Sequence, residues 1–408
     1  MKFTNTLYTN DNLFILNGLN SNSVDLIYLD PPFNSKRFYS APIGSKAAGT
    51  SFKDMWTWED VNEAYLEILA GKYPALTTFI ASIGAIHSKA MKAYLTYMAQ
   101  RIIEMHRVLK NTGSLYLHCD PTASHYLKVL LDEIFGRDNF RNEIIWHYRR
   151  WTGKAKKLQS LHDIIFFYTK SDEYTFNEQY TPYTVKSLKR KQNYHTRIKG
   201  DDIFVTSIDE KGVRENDVWV DIQLLNSQSK ERTGYPTQKP LALLHRIIKI
   251  SSNEGDIVMD PFCGCATTCV AAQQLGRKWI GIDIEKQAVS ILIERLSDDA
   301  GIFKDFINTT IVPQRTDIQI IEPEKTVKER LYKEQNFLCN GCKIQFEIRN
   351  LEIDHIIPKS KGGGDYYENY QLLCSACNRL KGDRPMEYLR MKRSKEEEFL
   401  KEKIIFGE

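Results

Sequence analysis

The sequence predicts an α/β chain in two parts: a doubly wound, mostly parallel sheet, followed by a small module held by a metal ion. Three observations carry this. The apolar run Val24-Asp25-Leu26-Ile27-Tyr28-Leu29 ends in Asp30-Pro31-Pro32-Phe33, which reads as a buried parallel strand stopped by a Pro-Pro breaker. Residues 256–283 read as strand, Gly-containing loop, helix and strand, a βαβ unit. Two C-x-x-C pairs, Cys339/Cys342 and Cys374/Cys377, follow near the C-terminal end.

Size and composition set the frame. A chain of 408 residues suggests two domains, three at most. Apolar content of 42% and charged content of 26% suit a soluble globular chain with a large core. The formal charge of +4 is too small to name a partner, but its distribution is uneven. Residues 141–200 hold 13 Lys/Arg against 5 Asp/Glu, interleaved with Trp146, Tyr148, Trp151, Tyr174, Tyr180, Tyr183 and Tyr194. Basic charge with aromatics suits phosphates and unstacked bases. No run approaches 18 apolar residues and the N-terminus lacks a signal-peptide pattern, so a cytoplasmic protein with no membrane partner is expected. In a reducing compartment eight cysteines favour metal binding over disulfides.

Along the chain, the first strand opens the sheet. Residues 35–95 form an insert, Gly/Ala/Ser-rich at first and then helical in pattern; Trp56 and Trp58 within it are expected to pack. Leu95, Met98, Ile102, Met105 and Leu109 recur at helical spacing, and Asn111-Thr112-Gly113 is expected to end that helix. Residues 114–118 read as a strand and 126–135 as a helix stopped by Gly136. Residues 143–146 and 163–168 read as further strands, and 171–230 as an irregular recognition region.

Two stretches carry the chemistry. In an open α/β sheet ligands bind at the carboxyl ends of the strands, which is where Asp30 falls. The prolines stiffen the backbone and remove two N–H donors, so the Asp30 carboxylate and the Pro31 carbonyl can both accept from one NH₂ group. Phe33 adds a flat apolar face. In the βαβ unit, Asp260-Pro261-Phe262-Cys263-Gly264-Cys265-Ala266-Thr267 forms the loop, and Asp283 ends the second strand 19 residues after Gly264. A tight loop plus an acid at that distance holds a nucleoside, the acid on its ribose. No G-x-G-x-x-G or G-x-x-x-x-G-K-[ST] is present, so dinucleotides and triphosphates are poorly matched.

Together these residues resemble the β class of DNA amino-methyltransferases, over about residues 7–320. Asp30-Pro31-Pro32-Phe33 looks like the catalytic motif. Tyr235-Pro236-Thr237-Gln238-Lys239-Pro240 looks like the segment that precedes the cofactor motif, with Lys239 at the cofactor. Asp260, Pro261, Phe262, Gly264 and Thr267 look like the S-adenosylmethionine loop, and Gly281-Ile282-Asp283 like the ribose-binding acid. The resemblance implies a Rossmann-like domain over residues 1–320, with target recognition at about 171–230. It implies that Asp30 and Pro31 hold the exocyclic amine of a flipped base while Pro32 and Phe33 shape its pocket. Asp in the first position is found mostly in adenine-N6 enzymes of this class. The family often has a second glycine where Ala266 stands, and alanine fits there if its φ stays negative.

The C-terminal segment resembles the HNH nuclease, a ββα-metal fold, over residues 327–408, most closely to about 390. The two C-x-x-C pairs supply four thiolates, Cys339, Cys342, Cys374 and Cys377, for structural zinc. Asp354-His355, Asn369 and Asn378 look like the nuclease motif. The resemblance implies His355 as general base, Asn369 orienting it, and Asp354 with Asn378 on one Mg²⁺ or Mn²⁺ ion. The expected protein is a bifunctional DNA methyltransferase and endonuclease with a restriction–modification or related defence role. Two alternatives stand beside it: a methyltransferase of adenine N6 or cytosine N4 whose HNH module only binds or nicks DNA, and a non-catalytic zinc protein that binds DNA. A homodimer is compatible with all three.

Overall fold

The computed structural model describes residues 5–33, 37–42, 44–45, 47–48, 51–61, 66–150, 156, 158–188, 196–199, 202–205, 211–226, 228–298, 306–317 and 324–394. The main sheet has nine strands: β1 (Thr6–Thr9), β2 (Val24–Leu29), β3 (Leu109–Cys119), β4 (Phe140–His147), β5 (His162–Thr169), β6 (Val218–Trp219), β7 (Ile257–Asp260), β8 (Lys278–Asp283) and β9 (Ile307–Thr309). Their spatial order is β6-β4-β5-β3-β2-β7-β8-β1-β9. All run parallel except β5, which is antiparallel to both neighbours. The chain leaves β2 towards β3 and leaves β7 towards β8, in opposite directions. The crevice at their carboxyl ends is therefore the topological switch point, where such sheets bind ligands.

Apolar strands buried on both sides explain the layering. One core cluster packs Ile27, Leu29, Leu115 and Leu117 under helices Pro74–Ile86, Lys89–Val108 and Ser124–Phe135. The other packs Leu26, Tyr28, Tyr116 and Val258 under helices Leu241–Ser251 and Thr267–Gln274. Ser88 caps the long helix, accepting from the Met91 N–H at 3.1 Å. Leu95, Met98, Ile102 and Met105 form its buried seam, as the spacing predicts.

That helix stops sooner than expected. Leu109 is already extended, and Asn111-Thr112-Gly113 lie within β3. Val24 pairs with Leu109 but Leu26 pairs with Ser114, so the intervening residues bulge out of the ladder. The Lys110 ammonium holds the bulge on Asp25 at 2.8 Å. A side chain at Gly113 would meet Leu109 Cδ1 at 2.7 Å and the Asp25 carbonyl oxygen at 2.9 Å, so the bulge needs glycine.

Four further expectations are corrected. The insert begins with a hairpin, Arg37–Ser40 against Ser51–Asp54, ahead of helices Leu66–Lys72 and Pro74–Ile86. Trp56 packs on the Tyr97 ring at 4.1 Å, whereas Trp58 stays 39% exposed under the Lys92 ammonium. Trp146 and Tyr148 are buried, with Trp146 Nε1 donating to the Ile222 carbonyl at 2.8 Å, so neither offers a face to a base. Ala266 has φ +57°, in the left-handed region rather than at negative φ. An alanine there is strained by roughly 1–2 kcal/mol, which the surrounding loop contacts offset. Trp151, Lys189, Arg190, Lys191 and Tyr194 of the basic stretch lie outside the described residues.

The C-terminal module has its own core. Helix Glu324–Glu334 packs Val327 and Leu331 against strands β10 (Leu351–His355) and β11 (Tyr370–Cys374). The strands are antiparallel, and helix Ser375–Lys381 follows directly. The sulfur atoms of Cys339, Cys342, Cys374 and Cys377 all lie within 4.8 Å of one another. Four thiolates about 2.3 Å from one zinc ion would stand about 3.8 Å apart, so the cluster fits that metal. Burial pushes the Cys339 thiol up, yet the N–H groups of Cys342, Cys374 and Gly341 bring it below its usual value. Burial raises Cys342 and Cys377, so a bound cation would favour their thiolate forms. Among the described residues no helix is long and apolar enough to cross a membrane.

Cys342→Ser is expected to release the metal and unfold the C-terminal module while leaving the nine-stranded domain folded, because that domain has a separate core. Zinc content and a two-step against one-step thermal melt check this; one full zinc equivalent retained would refute the four-cysteine site.

Candidate functional site

The crevice at the switch point opens into a cavity of about 620 Å³. Asp30, Pro31, Pro32 and Phe33 line one side; Asp260, Pro261, Phe262, Gly264, Thr267 and Asp283 line the other. The pairing of β2 with β7, Leu26 to Val258 and Ile27 to Met259, brings the two sets together. Every residue expected at the base and cofactor sites, Lys239 included, reaches this one cavity.

The cofactor side is a pinned loop. Gly264 N–H donates to Asp283 Oδ2 at 2.7 Å, and Glu285 N–H donates to Asp283 Oδ1 at 2.8 Å. Phe262 N–H and the Thr268 hydroxyl donate to Asp260 at 3.0 and 2.5 Å. Burial pushes Asp260 up to about 7 and Asp283 up to about 6. Gly264 has φ +50°, and a side chain there would meet the Tyr235 ring at 3.0 Å. The loop carbonyls are held as well. Asn12 Nδ2 donates to the Pro261 oxygen at 2.7 Å, and Arg101 Nε fixes Asn12 at 2.6 Å. Buried Arg295 donates to the Cys265 oxygen at 2.7 Å and to the Thr267 hydroxyl at 2.9 Å. Asn12, Arg101 and Arg295 carry no sequence signal, since each acts across the fold on a motif elsewhere.

The other side centres on Asp30. The Lys239 ammonium forms an ion pair with Asp30 Oδ2 and lies 5.5 Å from the centre of the Phe33 ring. Lys239 thus sits on the expected catalytic carboxylate as well as at the cofactor cavity. Asp30 Oδ1 is buried and has no hydrogen-bond partner among the described residues. Behind Phe33 stands His118, its ring stacked on the Phe33 ring at 6.1 Å. His118 Nδ1 meets the Tyr28 hydroxyl at 2.9 Å and Nε2 meets Asp163 at 3.1 Å, while the Tyr148 hydroxyl donates to Asp163 at 3.0 Å. Burial pushes Asp163 up, but the bond and charge of His118 bring it below the usual carboxylate range. This buried chain of polar groups backs the base-facing side of the cavity.

The C-terminal module holds a second cluster. Glu352 and Asp354 share one face of β10, and Ser375, Asn378 and Lys381 line the helix opposite. Asn378 Nδ2 donates to Glu352 at 2.6 Å, and the Ser375 hydroxyl does so at 2.7 Å. The Lys381 ammonium pairs with Asp354 at 3.0 Å. Asp354 and Asn378 therefore lie on neighbouring rungs rather than on a common point. Glu352, Asp354 and Asn378 are oxygen donors suited to a hard divalent cation. His355 Nε2 meets Asp365 at 2.8 Å, which makes Asp365 the group that orients the ring. Asn369 instead latches the following loop: it accepts from Ile357 N–H at 2.8 Å and donates to the Ile357 and Gly364 carbonyls at 3.1 and 3.0 Å. Sequence spacing missed Glu352 and Lys381, although both sit one turn or one strand repeat from motif residues.

A DNA methylase family model matches residues 24–294, and an HNH endonuclease family model matches residues 339–384. The chain is 29% identical over 285 residues to the Type II methyltransferase M.HpaI of Haemophilus parainfluenzae, covering 70% of this chain and 71% of that protein. It is 29% identical over 281 residues to the Type II methyltransferase M.EcaI of Enterobacter cloacae, covering 54% of this chain and spanning 61% of that protein's length. Among solved structures it is similar to a DNA modification methylase of Thermus thermophilus complexed with S-adenosyl-L-methionine, at 16% identity and a TM-score of 0.42, covering 75% of this chain and 98% of that one. The methylase match runs from β2 through β8 and so contains both sides of the cavity. The chain belongs to the DNA methylase family that acts through S-adenosylmethionine, and it carries a C-terminal HNH domain.

Proposed function

We propose that this protein methylates double-stranded DNA at adenine N6 and cuts DNA through its HNH module, in a restriction–modification or related defence system. One observation carries the first half: Asp30 lines the same cavity as the cofactor loop, held there by the Lys239 ion pair. An exocyclic amine conjugated to its ring is a poor nucleophile. The Asp30 carboxylate and the Pro31 carbonyl accept its two N–H bonds and favour a pyramidal nitrogen with a free lone pair. Lys239 fixes the Asp30 carboxylate through its ion pair, and Phe33, backed by His118, stacks the base. S-adenosylmethionine, when bound, supplies the electrophilic methyl group; Asp283 on the ribose and the loop from Asp260 to Thr267 orient it. The gain is positioning plus electrostatics. Asp at position 30 favours adenine over cytosine.

The nuclease half rests on His355. Asp365 on Nε2 fixes its ring, as a carboxylate does for a general base. A Mg²⁺ or Mn²⁺ ion, when bound, supplies Lewis-acid polarisation of the scissile phosphate, held by Asp354 and Asn378. Sequencing of methylated DNA from cells that express the His355→Ala variant tests the whole reading, since it returns the base and the site without host cleavage. Methyl groups on cytosine N4 would overturn the adenine assignment.

The two sides of the cavity separate by mutation. Asp30→Ala is expected to abolish methyl transfer yet keep S-adenosylmethionine affinity within a few-fold; Asp283→Ala is expected to weaken that affinity first. Calorimetry of both variants decides, and unchanged affinity in Asp283→Ala would remove the ribose assignment.

The raised carboxyl groups give a pH signature. Asp260 and Asp283 keep protons in the folded chain at pH values where the unfolded chain has lost them. Stability therefore falls as pH rises from the ordinary value of 3.8 through about 6 and about 7. A positively charged cofactor held by these residues would favour their ionised forms, so cofactor binding is expected to release protons near pH 6.5 and few near pH 9 (values set roughly by those shifts). Calorimetry in buffers of different ionisation enthalpy reads this directly; proton uptake would contradict it.

His355→Ala is expected to cut DNA about 10²–10⁴-fold more slowly while zinc content and methylation stay intact. His355 lies outside both C-x-x-C pairs, so the structural metal does not depend on it. Cleavage of unmethylated and methylated DNA with Mg²⁺, Mn²⁺ or chelator checks this. Wild-type protein that cuts neither DNA with any metal would leave the HNH module a binding device.

A further inference from the structure

We propose that Lys381 is a built-in counter-cation of the nuclease metal site: its ammonium group occupies Asp354 until a divalent ion displaces it, so metal loading is an exchange. The inference rests on Asp354 being a metal ligand. The Lys381 side chain is fully buried and that of Asp354 is 10% exposed. The ammonium lies 3.0 Å from Asp354 Oδ2 and 3.3 Å from Oδ1, and donates to the His355 carbonyl at 2.8 Å. Gln371 Nε2 donates to Asp354 Oδ2 at 2.8 Å. Both carboxylate oxygens are therefore engaged before any metal arrives. Lysine is seldom buried, and a buried ammonium persists only when paired and hydrogen-bonded, as here.

A divalent cation shared by Asp354 and Asn378 needs both to change partners. Asp354 must release Lys381, and Asn378 must turn its carboxamide oxygen inward from Glu352. Cys374 and Cys377 tie the N-terminal end of the helix to the thiolate cluster, and Met386 and Leu389 hold the segment after its last residue, Lys381, in the core. The ammonium leaves by rotation of its own side chain while the helix stays fixed. A closed site lowers apparent affinity in proportion to the fraction of molecules that are open; if about one in ten is open, binding is about tenfold weaker than to an open site.

The test is Mn²⁺ binding to the full chain by electron paramagnetic resonance, for wild type, Lys381→Gln and Asp354→Asn, with zinc content measured on each sample. Lys381→Gln removes the charge and leaves a shorter, neutral polar side chain. It is expected to bind Mn²⁺ about tenfold more tightly, at a site absent from Asp354→Asn. Equal or weaker binding by Lys381→Gln at full zinc content would overturn the exchange and make Lys381 a residue that merely positions Asp354. If Asp354→Asn binds Mn²⁺ as wild type does, Asp354 is no ligand and the reading beneath the proposal fails instead. Should Lys381→Gln lose zinc, wild-type protein still decides. Acylation by an amine-reactive ester, read by mass spectrometry, is expected to mark Lys381 several-fold more once Mn²⁺ is bound. Bound Mn²⁺ with Lys381 still protected would refute the displacement.

Discussion

The pairing of β2 with β7 is the constraint on which the rest depends. Residues more than two hundred positions apart lie side by side, and their carboxyl ends form the crevice. Asp25, near the start of β2, fixes that pairing from below: Oδ2 accepts from the Ile257 N–H at 2.9 Å while Lys110 of the β3 bulge binds the same carboxylate. One short acid thus ties three strands. A slip of one residue would turn every side chain of β2 to the other face, moving Ile27 and Leu29 out of one core and Tyr28 out of the other. Asp30 and Asp260 face a common cavity because this register has no second solution.

How much of this the sequence disclosed follows from the range of each signal. The strand before Asp30, the βαβ unit at 256–283 and the long helical seam are local patterns, and all appear in the structure. The bulge in β3 does not, because it arises where Val24 and Leu26 select non-adjacent partners. The left-handed Ala266 is hidden for a related reason. Its φ is imposed by the turn between Cys263 and the helix that starts at Thr267, where the Ala266 N–H donates to the Cys263 carbonyl at 2.6 Å. Trp146 and Tyr148 share the composition of a base-binding surface, but Trp146 lies on β4, Tyr148 follows directly after it, and both enter the core.

Partners of the motif residues were the least legible part. Lys239 and Asp30 are 209 residues apart, and nothing in either neighbourhood announces the other. Arg101 and Asn12 likewise act on Pro261 through the fold. In the C-terminal module the motif letters are present, but their division of labour differs from the expected one. Asp365 meets the His355 ring, and Asn369 closes the glycine loop beneath it. The loop's packing explains the need for that latch: a side chain at Gly363 would meet the Ile357 carbonyl oxygen at 1.8 Å and Asn369 Nδ2 at 2.9 Å.

The two sites share one device with opposite consequences. In each, a central carboxylate is met by a buried lysine: Asp30 by Lys239, Asp354 by Lys381. Removing either partner of such a pair leaves a charge uncompensated in a low-dielectric interior, so both pairs are strongly held. At Asp30 the lysine takes one oxygen, and the other, buried, has no partner among the described residues. That carboxylate is oriented and keeps one acceptor oxygen in reserve. At Asp354 the lysine and Gln371 engage both oxygens. A carboxylate so satisfied can take up a cation only by giving one up. One acid thus keeps acceptor capacity that the described residues leave unused, while the other has both oxygens engaged, within a single chain.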